Sequence, residues 1–211
     1  MSSGKWVCLD VGETLIDETR VWTVWAKVLG MTPLTLMAGL GAAIVAGDHR
    51  GVAEILGRDD WRDFAPEVER RYGGFQEADL YPDARSAVQD LATAGYRVAI
   101  LANQPSPRTA ELRTLGFKPD VMAMSEELGV HKPDPGFFRR SLELLGGPDP
   151  ATVAYVGDRL DNDVRPAAAA GMRAVWLRRG PWAALETAAP DEAVLVVDSL
   201  TELVERIGEV L

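Results

Sequence analysis

The feature that most constrains the fold of this chain is a regular alternation of short apolar runs with helical patterns. The runs are residues 5–11, 96–102, 120–125, 152–157, 173–178 and, as a sixth candidate, 193–198. They are apolar on both faces, as strands of a parallel sheet covered by helices are. Helical patterns lie between them, at residues 83–95, 134–146 and 164–172. The alternation predicts an α/β fold with a doubly wound parallel sheet.

One long segment interrupts this alternation. Residues 17–80 contain helical patterns, at 18–30, 34–47, 49–57 and 64–75, but no strand pattern. We therefore predict an all-helical cap, residues 17–80, inserted into a Rossmann-like core that consists of residues 1–16 and 81–211. The two connections, near Asp17 and near Leu80–Pro82, are the expected hinges.

Composition excludes some partners. The net charge of the 211-residue chain is −10, and a protein that binds nucleic acid needs a basic face for the phosphate backbone. We therefore expect no nucleic-acid partner, whereas a small anionic substrate remains compatible with a locally basic site. The one cysteine, Cys8, cannot form an internal disulfide.

The chain also gives little indication of a membrane. Its first residues, MSSGKW, lack the basic-then-apolar pattern of a signal peptide. The apolar segment 34–47 is shorter than the roughly 20 residues that a spanning helix needs. We therefore interpret it as a buried helix and predict a cytoplasmic protein without a membrane partner. The sequence does not specify an oligomeric state.

Polar residues follow the predicted strands at the points where the strands end. Asp10 ends the first, Asn103 and Gln104 follow the second, Lys132 follows the third, and Asp158 follows the fourth, with Asp163 close behind. Chemistry in an open α/β sheet collects at the carboxyl ends of its strands. We therefore expect these side chains to meet in one site.

Three acids at neighbouring strand ends repel one another, and partly buried carboxylates resist ionisation. A divalent cation relieves both effects. Mg²⁺ prefers oxygen ligands and often needs only one or two protein carboxylates together with a substrate phosphate. The set therefore predicts a Mg²⁺ site, at which Lys132 balances the charge of a bound phosphate.

Four motifs in order now suggest a family. They are DVGETL (10–15), ILAN (100–103), KPDP (132–135) and VGDRLDNDV (156–164). With these motifs the chain resembles the haloacid dehalogenase superfamily, in the subclass with a helical cap between the first and second motifs. The resemblance implies that Asp10 is a nucleophile that takes the phosphoryl group and that Lys132 holds Asp10 and the phosphate together. It also implies that Asp10, Asp158 and the Gly12 carbonyl bind the metal, with Asp163 in support.

Two positions depart from the phosphatases of that superfamily. The phosphatases carry Asp where this chain has Gly12, and that Asp acts as a general acid and base. General acid–base catalysis contributes roughly 10²–10⁴ in rate. Their second motif supplies a hydroxyl to the phosphate, which Ala102 cannot do. The candidates for phosphate contacts here are Thr14, Asn103, Gln104 and Lys132. The candidates to replace the missing acid are Glu13, Asp17 and Lys27.

We therefore predict a Mg²⁺-dependent hydrolase that forms an aspartyl-phosphate on Asp10. Its substrate would be a small phosphorylated metabolite, and its acid–base help would be weak because of Gly12. One alternative is a binding or regulatory protein that kept the fold and lost efficient turnover. Another is hydrolysis of carbon–halogen or carbon–phosphorus bonds. Asp158 argues against dehalogenation, because that reaction uses no metal.

Overall fold

The predicted parallel sheet is confirmed in the computed structural model, which describes residues 4–47, 56–186 and 188–211. The strands are β1 (Trp6–Leu9), β2 (Arg97–Ala102), β3 (Val121–Met124), β4 (Val153–Gly157), β5 (Arg173–Leu177) and β6 (Leu195–Val197). They are parallel and lie in the order β3-β2-β1-β4-β5-β6. Each strand lies within one of the predicted apolar runs.

The apolar character of these strands follows from helices on both faces of the sheet. Successive residues of β1 alternate between two cores: Val7 and Leu9 pack in one, and Trp6 and Cys8 in the other. This is the two-residue period of a strand. Because β1 is buried on both faces, its sequence shows no polar alternation.

The helices connect the strands. They are α1 (Thr19–Leu29), α2 (Pro33–Ala46), α3 (Ala65–Tyr72), α4 (Ala84–Thr93), α5 (Pro107–Thr114), α6 (Ser125–Leu128), α7 (Pro135–Leu144), α8 (Arg165–Ala169) and α9 (Leu200–Arg206). Short 3₁₀ turns lie at Trp61–Phe64, Glu77–Asp79, Pro150–Thr152, Trp182–Leu185 and Ile207–Glu209, and a π turn lies at Leu160–Val164. The first three helices belong to the segment 17–80, called the insertion below.

The chain enters and leaves the insertion side by side. Ile16 and Leu80 form an isolated antiparallel bridge. The amide of Asp17 donates to the carbonyl of Asp79 at 2.8 Å, and the amide of Tyr81 donates to the carbonyl of Leu15 at 3.0 Å. These connections lie where we expect the hinges; the hinge motion and the division into two domains stay predictions.

The prediction of a buried helix at residues 34–47 is wrong. Helix α2 buries only Leu36, Gly41 and Ala43, while Leu34 and Val45 are 80% and 71% exposed. Apolar residues lie on all sides of this helix, and its neighbours leave much of that apolar surface exposed. No single described helix is long and apolar enough to cross a membrane, although α1 and α2 together, bent by 108°, reach that length and composition. The pattern at 49–57 lies largely outside the described residues.

Candidate active site

Strand order brings the predicted site residues together. Because β1 lies between β2 and β4, the residues that follow these strands share one edge of the sheet. The amide of Asp10 still donates to the carbonyl of Val156 in β4, at 2.9 Å. Asp10, Asn103 and Asp158 therefore begin at the same edge, as the sequence predicts.

Lys132 lies at the centre of the charged groups. Its Nζ is 2.8 Å from Oδ1 of Asp10 and 2.5 Å from Oδ1 of Asp163. The side chain of Lys132 is 2% exposed. Its backbone is held by Asn103, whose Nδ2 donates to the Lys132 carbonyl at 2.9 Å and whose Oδ1 accepts from the Lys132 amide at 2.8 Å. The side-chain amide group of Asn103, a candidate for phosphate binding, thus fixes the backbone at Lys132.

The three predicted acids form one cluster. Carboxylate oxygens of Asp10, Asp158 and Asp163 lie within 4.8 Å of one another, and all three residues are buried. Trp176 Nε1 donates to the Asp158 carbonyl at 2.9 Å and so fixes that backbone. Asp158 Oδ2 is buried and has no hydrogen-bond partner among the described residues. A buried carboxylate oxygen without a partner fits a cation ligand.

The charges and pKa values of the cluster also indicate a cation site. Burial raises the pKa of Asp10 to about 6, although the Lys132 ammonium group opposes the rise. Burial, followed by the charges of Asp163 and Asp10, raises the pKa of Asp158 well above its usual range. Burial opposes the charge of Lys132, but Asp10 and Asp163 hold its pKa well above the ordinary value. Three carboxylates against one ammonium group leave an excess of negative charge, and the all-oxygen donor set suits Mg²⁺.

A cavity of about 420 Å³ lies directly over this cluster. Asp10, Lys132 and Asp158 line its floor, at the edge of the sheet. Aromatic residues of the insertion, Trp22, Trp25, Tyr72 and Phe75, line it as well. The insertion therefore covers the acids and forms part of the wall against which a substrate would lie.

Glu18 lies beside Gly12 in this cavity. A Cβ atom added to Gly12 would lie 2.6 Å from Oε1 and 2.7 Å from Cδ of Glu18. Gln104 Nε2 donates to Glu18 Oε1 at 3.0 Å, and Trp22 Nε1 donates to Oε2 at 3.2 Å. Burial, followed by the charges of Glu13 and Asp10, raises the pKa of Glu18 to about 7. The carboxylate of Glu18 thus fills the space that a side chain at position 12 would take.

Sequence reasoning missed Glu18. It lies six residues after Gly12 and reaches the site because the chain turns back after β1. Glu13 makes that turn with a left-handed backbone, φ 50°, and its Oε1 accepts from the Glu18 amide at 3.0 Å. A glycine at the strand end and an acid at the start of the next helix were the only signals. Neither specifies that the turn brings them together.

The other candidates for the missing acid lie elsewhere. Glu13 Oε2 accepts from the Tyr81 hydroxyl, and Asp17 Oδ1 accepts from the Thr19 amide at 2.8 Å. Lys27 is exposed on α1. Among the described residues that line the cavity, none of these three is included.

The two remaining candidates for phosphate contacts, Thr14 and Gln104, do not have side chains free to bind a phosphate in the cavity. Thr14 is fully buried, its hydroxyl has no partner among the described residues, and it lies outside the cavity lining. Gln104 lines the cavity, but its side-chain amide donates to Glu18. Arg108, which sequence reasoning missed, also lines the cavity; it is buried and pairs with Glu69 of the insertion.

Comparisons with known proteins agree with this architecture. Residues 5–171 match the family model described as haloacid dehalogenase-like hydrolase. The chain is 34% identical over 134 residues to glyceraldehyde 3-phosphate phosphatase of Methanopyrus kandleri, covering 61% of this chain and 57% of the relative. It is 38% identical over 104 residues to phosphoserine phosphatase of Thermus thermophilus, covering 48% of this chain and 41% of the relative. The chain therefore spans about half the length of these curated relatives.

A solved structure shares the fold over nearly the whole chain. Magnesium-bound YfnB of Bacillus subtilis superposes with a TM-score of 0.73 at 19% identity, over 96% of this chain and 97% of that one. The family match is consistent with the six-stranded parallel sheet and with the acid cluster at its edge. The chain belongs to the haloacid dehalogenase-like hydrolase family.

Proposed function

We propose that this protein is a Mg²⁺-dependent phosphatase that transfers the phosphoryl group of a small phosphate ester to Asp10 and then to water. The observation that carries the proposal is the position of the Lys132 ammonium group. It lies between Asp10 and Asp163, next to Asp158, on the floor of a cavity large enough for a small metabolite.

Each residue of the cluster has a task in this reaction. A carboxylate oxygen of Asp10 attacks phosphorus, since Asp10 lies at the cavity floor and is held by Lys132. Lys132 neutralises part of the charge that the phosphate brings next to Asp10. Asp163 keeps Lys132 in place and charged. Asn103 fixes the backbone from which Lys132 extends.

The residues that would hold Mg²⁺ are Asp10, Asp158, the Gly12 carbonyl and, in support, Asp163. When bound, the ion would neutralise phosphate oxygens and offset repulsion between the carboxylates. The unpartnered Oδ2 of Asp158 supports this assignment. The named phosphatases among the relatives, which act on glyceraldehyde 3-phosphate and on phosphoserine, support a small phosphorylated substrate.

The test is a panel of phosphate esters assayed with Mg²⁺ and with EDTA, with Asp10→Asn as the blank. We expect phosphate release that needs both Mg²⁺ and Asp10. Calorimetric titration of the protein with Mg²⁺ should show binding that Asp158→Ala abolishes. Equal turnover by wild type and Asp10→Asn would contradict the proposal, and chloride release from a 2-chloro acid without Mg²⁺ would favour dehalogenation instead.

A further inference from the structure

The place of the missing acid is filled from the insertion. A Cβ at Gly12 would approach the Glu18 carboxylate to 2.6 Å at Oε1 and 3.1 Å at Oε2. A side chain on residue 12 and the present side chain of Glu18 therefore compete for one space. Glycine at position 12 is what admits the carboxylate of Glu18.

Glu18 lines the same cavity as Asp10 and Lys132. Its two oxygens each accept one hydrogen bond, from Gln104 and from Trp22, and its backbone amide donates to Glu13. These three contacts hold Glu18 in place beside Gly12, two residues along the chain from the nucleophile. A carboxylate oxygen that accepts one hydrogen bond keeps a second lone pair on which a proton can be carried.

The other acid that lines the cavity outside the cluster, among the described residues, is Glu69. Its carboxylate is paired with the buried guanidinium of Arg108. The three atoms nearest to a Cβ at Gly12 all belong to Glu18, so Glu18 and not Glu69 occupies the place of the missing side chain. Among the described residues, the side-chain donors to the Glu18 carboxylate are those of Gln104 and Trp22, which are both neutral.

We infer, on the basis of the proposed phosphoryl transfer, that Glu18 is the general acid and base of this enzyme in place of an aspartate at position 12. In the first step an Asp10 oxygen forms a bond to phosphorus, the bond from phosphorus to the ester oxygen breaks, and Glu18 gives its proton to that oxygen. In the second step the oxygen of water bonds to phosphorus, the bond to Asp10 breaks, and Glu18 takes one proton from the water. The products are an alcohol and inorganic phosphate, and Glu18 is protonated again.

Because Glu18 stands at the start of α1, it belongs to the insertion, whereas Asp10 belongs to the sheet. The acid and the nucleophile thus come from different parts of the chain. Gln104, which follows β2, ties the acid to the sheet side. Gln104 is therefore a positioning residue for Glu18.

The test compares two esters on Glu18→Gln, which keeps the shape of the side chain but cannot give or take the proton. The esters are 4-nitrophenyl phosphate, whose anion leaves unaided, and phosphoserine, an alkyl ester. We expect a loss of roughly 10²–10⁴ in turnover of the alkyl ester and a much smaller loss on the aryl ester. The control Glu69→Gln should change both esters by a similar factor.

A second pair of variants tests the shared space. Gly12→Asp alone should not raise turnover, because its side chain meets Glu18. The double variant Gly12→Asp with Glu18→Ala should recover alkyl-ester turnover relative to Glu18→Gln. Circular dichroism and thermal melting show whether each variant is folded.

Several outcomes would overturn the assignment of Glu18. They are equal losses on both esters in folded Glu18→Gln, no loss at all, or a wild type that cleaves only the aryl ester. Loss of turnover in Asp10→Asn together with any of these results leaves the phosphatase proposal standing and removes Glu18. Wild-type turnover of neither ester contradicts both.

Discussion

Asp163 lies so close to Gly157 that a side chain on residue 157 would collide with the Asp163 carboxylate. A Cβ at Gly157 would lie 2.4 Å from the carboxyl carbon of Asp163. The glycine ends β4, and Asp163 turns back beneath it so that its Oδ2 accepts from the Arg159 amide at 3.0 Å and its Oδ1 accepts from Lys132. The position of Lys132 thus depends on the absence of a side chain at residue 157.

Gly157→Ala should therefore damage the site without removing a charged group. The methyl group displaces Asp163, and Lys132 loses one of its two carboxylate partners. A shift of about 1 Å in a catalytic group costs on the order of 10²-fold in rate. We expect kcat to fall by about that factor. The matched control is Gly208→Ala, whose added methyl would lie 3.6 Å from the Tyr96 hydroxyl, an ordinary van der Waals contact. Equal kcat values for the two variants would contradict the expectation.

Lys132→Met should destabilise the metal-free protein. Removing one partner of a buried ion pair leaves an unbalanced charge, at a cost of about 3–5 kcal/mol. Here it leaves two carboxylates, those of Asp10 and Asp163, without their ammonium group. Urea unfolding at neutral pH in EDTA measures the loss in the free energy of unfolding. A variant as stable as wild type under these conditions would contradict this balance of charges around Lys132.

The loss in Lys132→Met should depend on pH in a definite direction. The pKa of Asp10 is about 6 in the folded protein, above the roughly 3.9 of an unfolded chain, so the folded state binds more protons and its stability falls as pH rises between these values. Without Lys132 that pKa rises further. The stability difference between wild type and variant should therefore be small near pH 4 and grow through pH 6 and 7. Urea unfolding across this range checks it, and a difference that grows toward acid would contradict it.

More of the sheet than of the site could be predicted from the sequence. The strands were predictable because parallel strands buried on both faces read as continuous apolar runs, as β1 and β4 do. The edge of the sheet that collects Asp10, Lys132 and Asp158 followed from the same pattern. The exposure of α2 was not predictable, since an apolar helix does not reveal how much of its surface its neighbours cover.

The details of the site depended on contacts that no pattern encodes. Asn103 was predicted at the site, but its two hydrogen bonds to the Lys132 backbone follow from the loop conformation. Glu18 reaches Gly12 only because Glu13 reverses the chain. Arg108 lies outside the four motifs and meets Glu69 through the packing of the insertion on the sheet. Each is a long-range or turn-dependent contact, which periodicity does not report.

The pair of Arg108 and Glu69 should hold the insertion against the core. Arg108 is 3% exposed in its side chain, whereas that of Glu69 is 44% exposed, so screening limits the pair to about 1 kcal/mol. Glu69→Gln should raise the population of open forms about fivefold. Hydrogen exchange of α3 amides should accelerate by that factor, and KM should rise. Glu67→Gln is the control, because its partners Arg70 and Arg71 lie in the same helix. Equal exchange rates in both variants would contradict the role of the Arg108–Glu69 pair in holding the insertion.

Trapping the phosphoryl group on Asp10 tests the proposed chemistry at its first step. Wild-type protein is mixed with 4-nitrophenyl phosphate and Mg²⁺, quenched in acid, treated with borohydride and digested. Reduction of an acyl phosphate at Asp10 would convert that residue to homoserine, which mass spectrometry of the peptide detects. We predict homoserine at position 10 in wild type and none in Asp10→Asn or in EDTA. Phosphate release by wild type with residue 10 unmodified at every quench time, together with undiminished release by Asp10→Asn, would contradict Asp10 as the nucleophile.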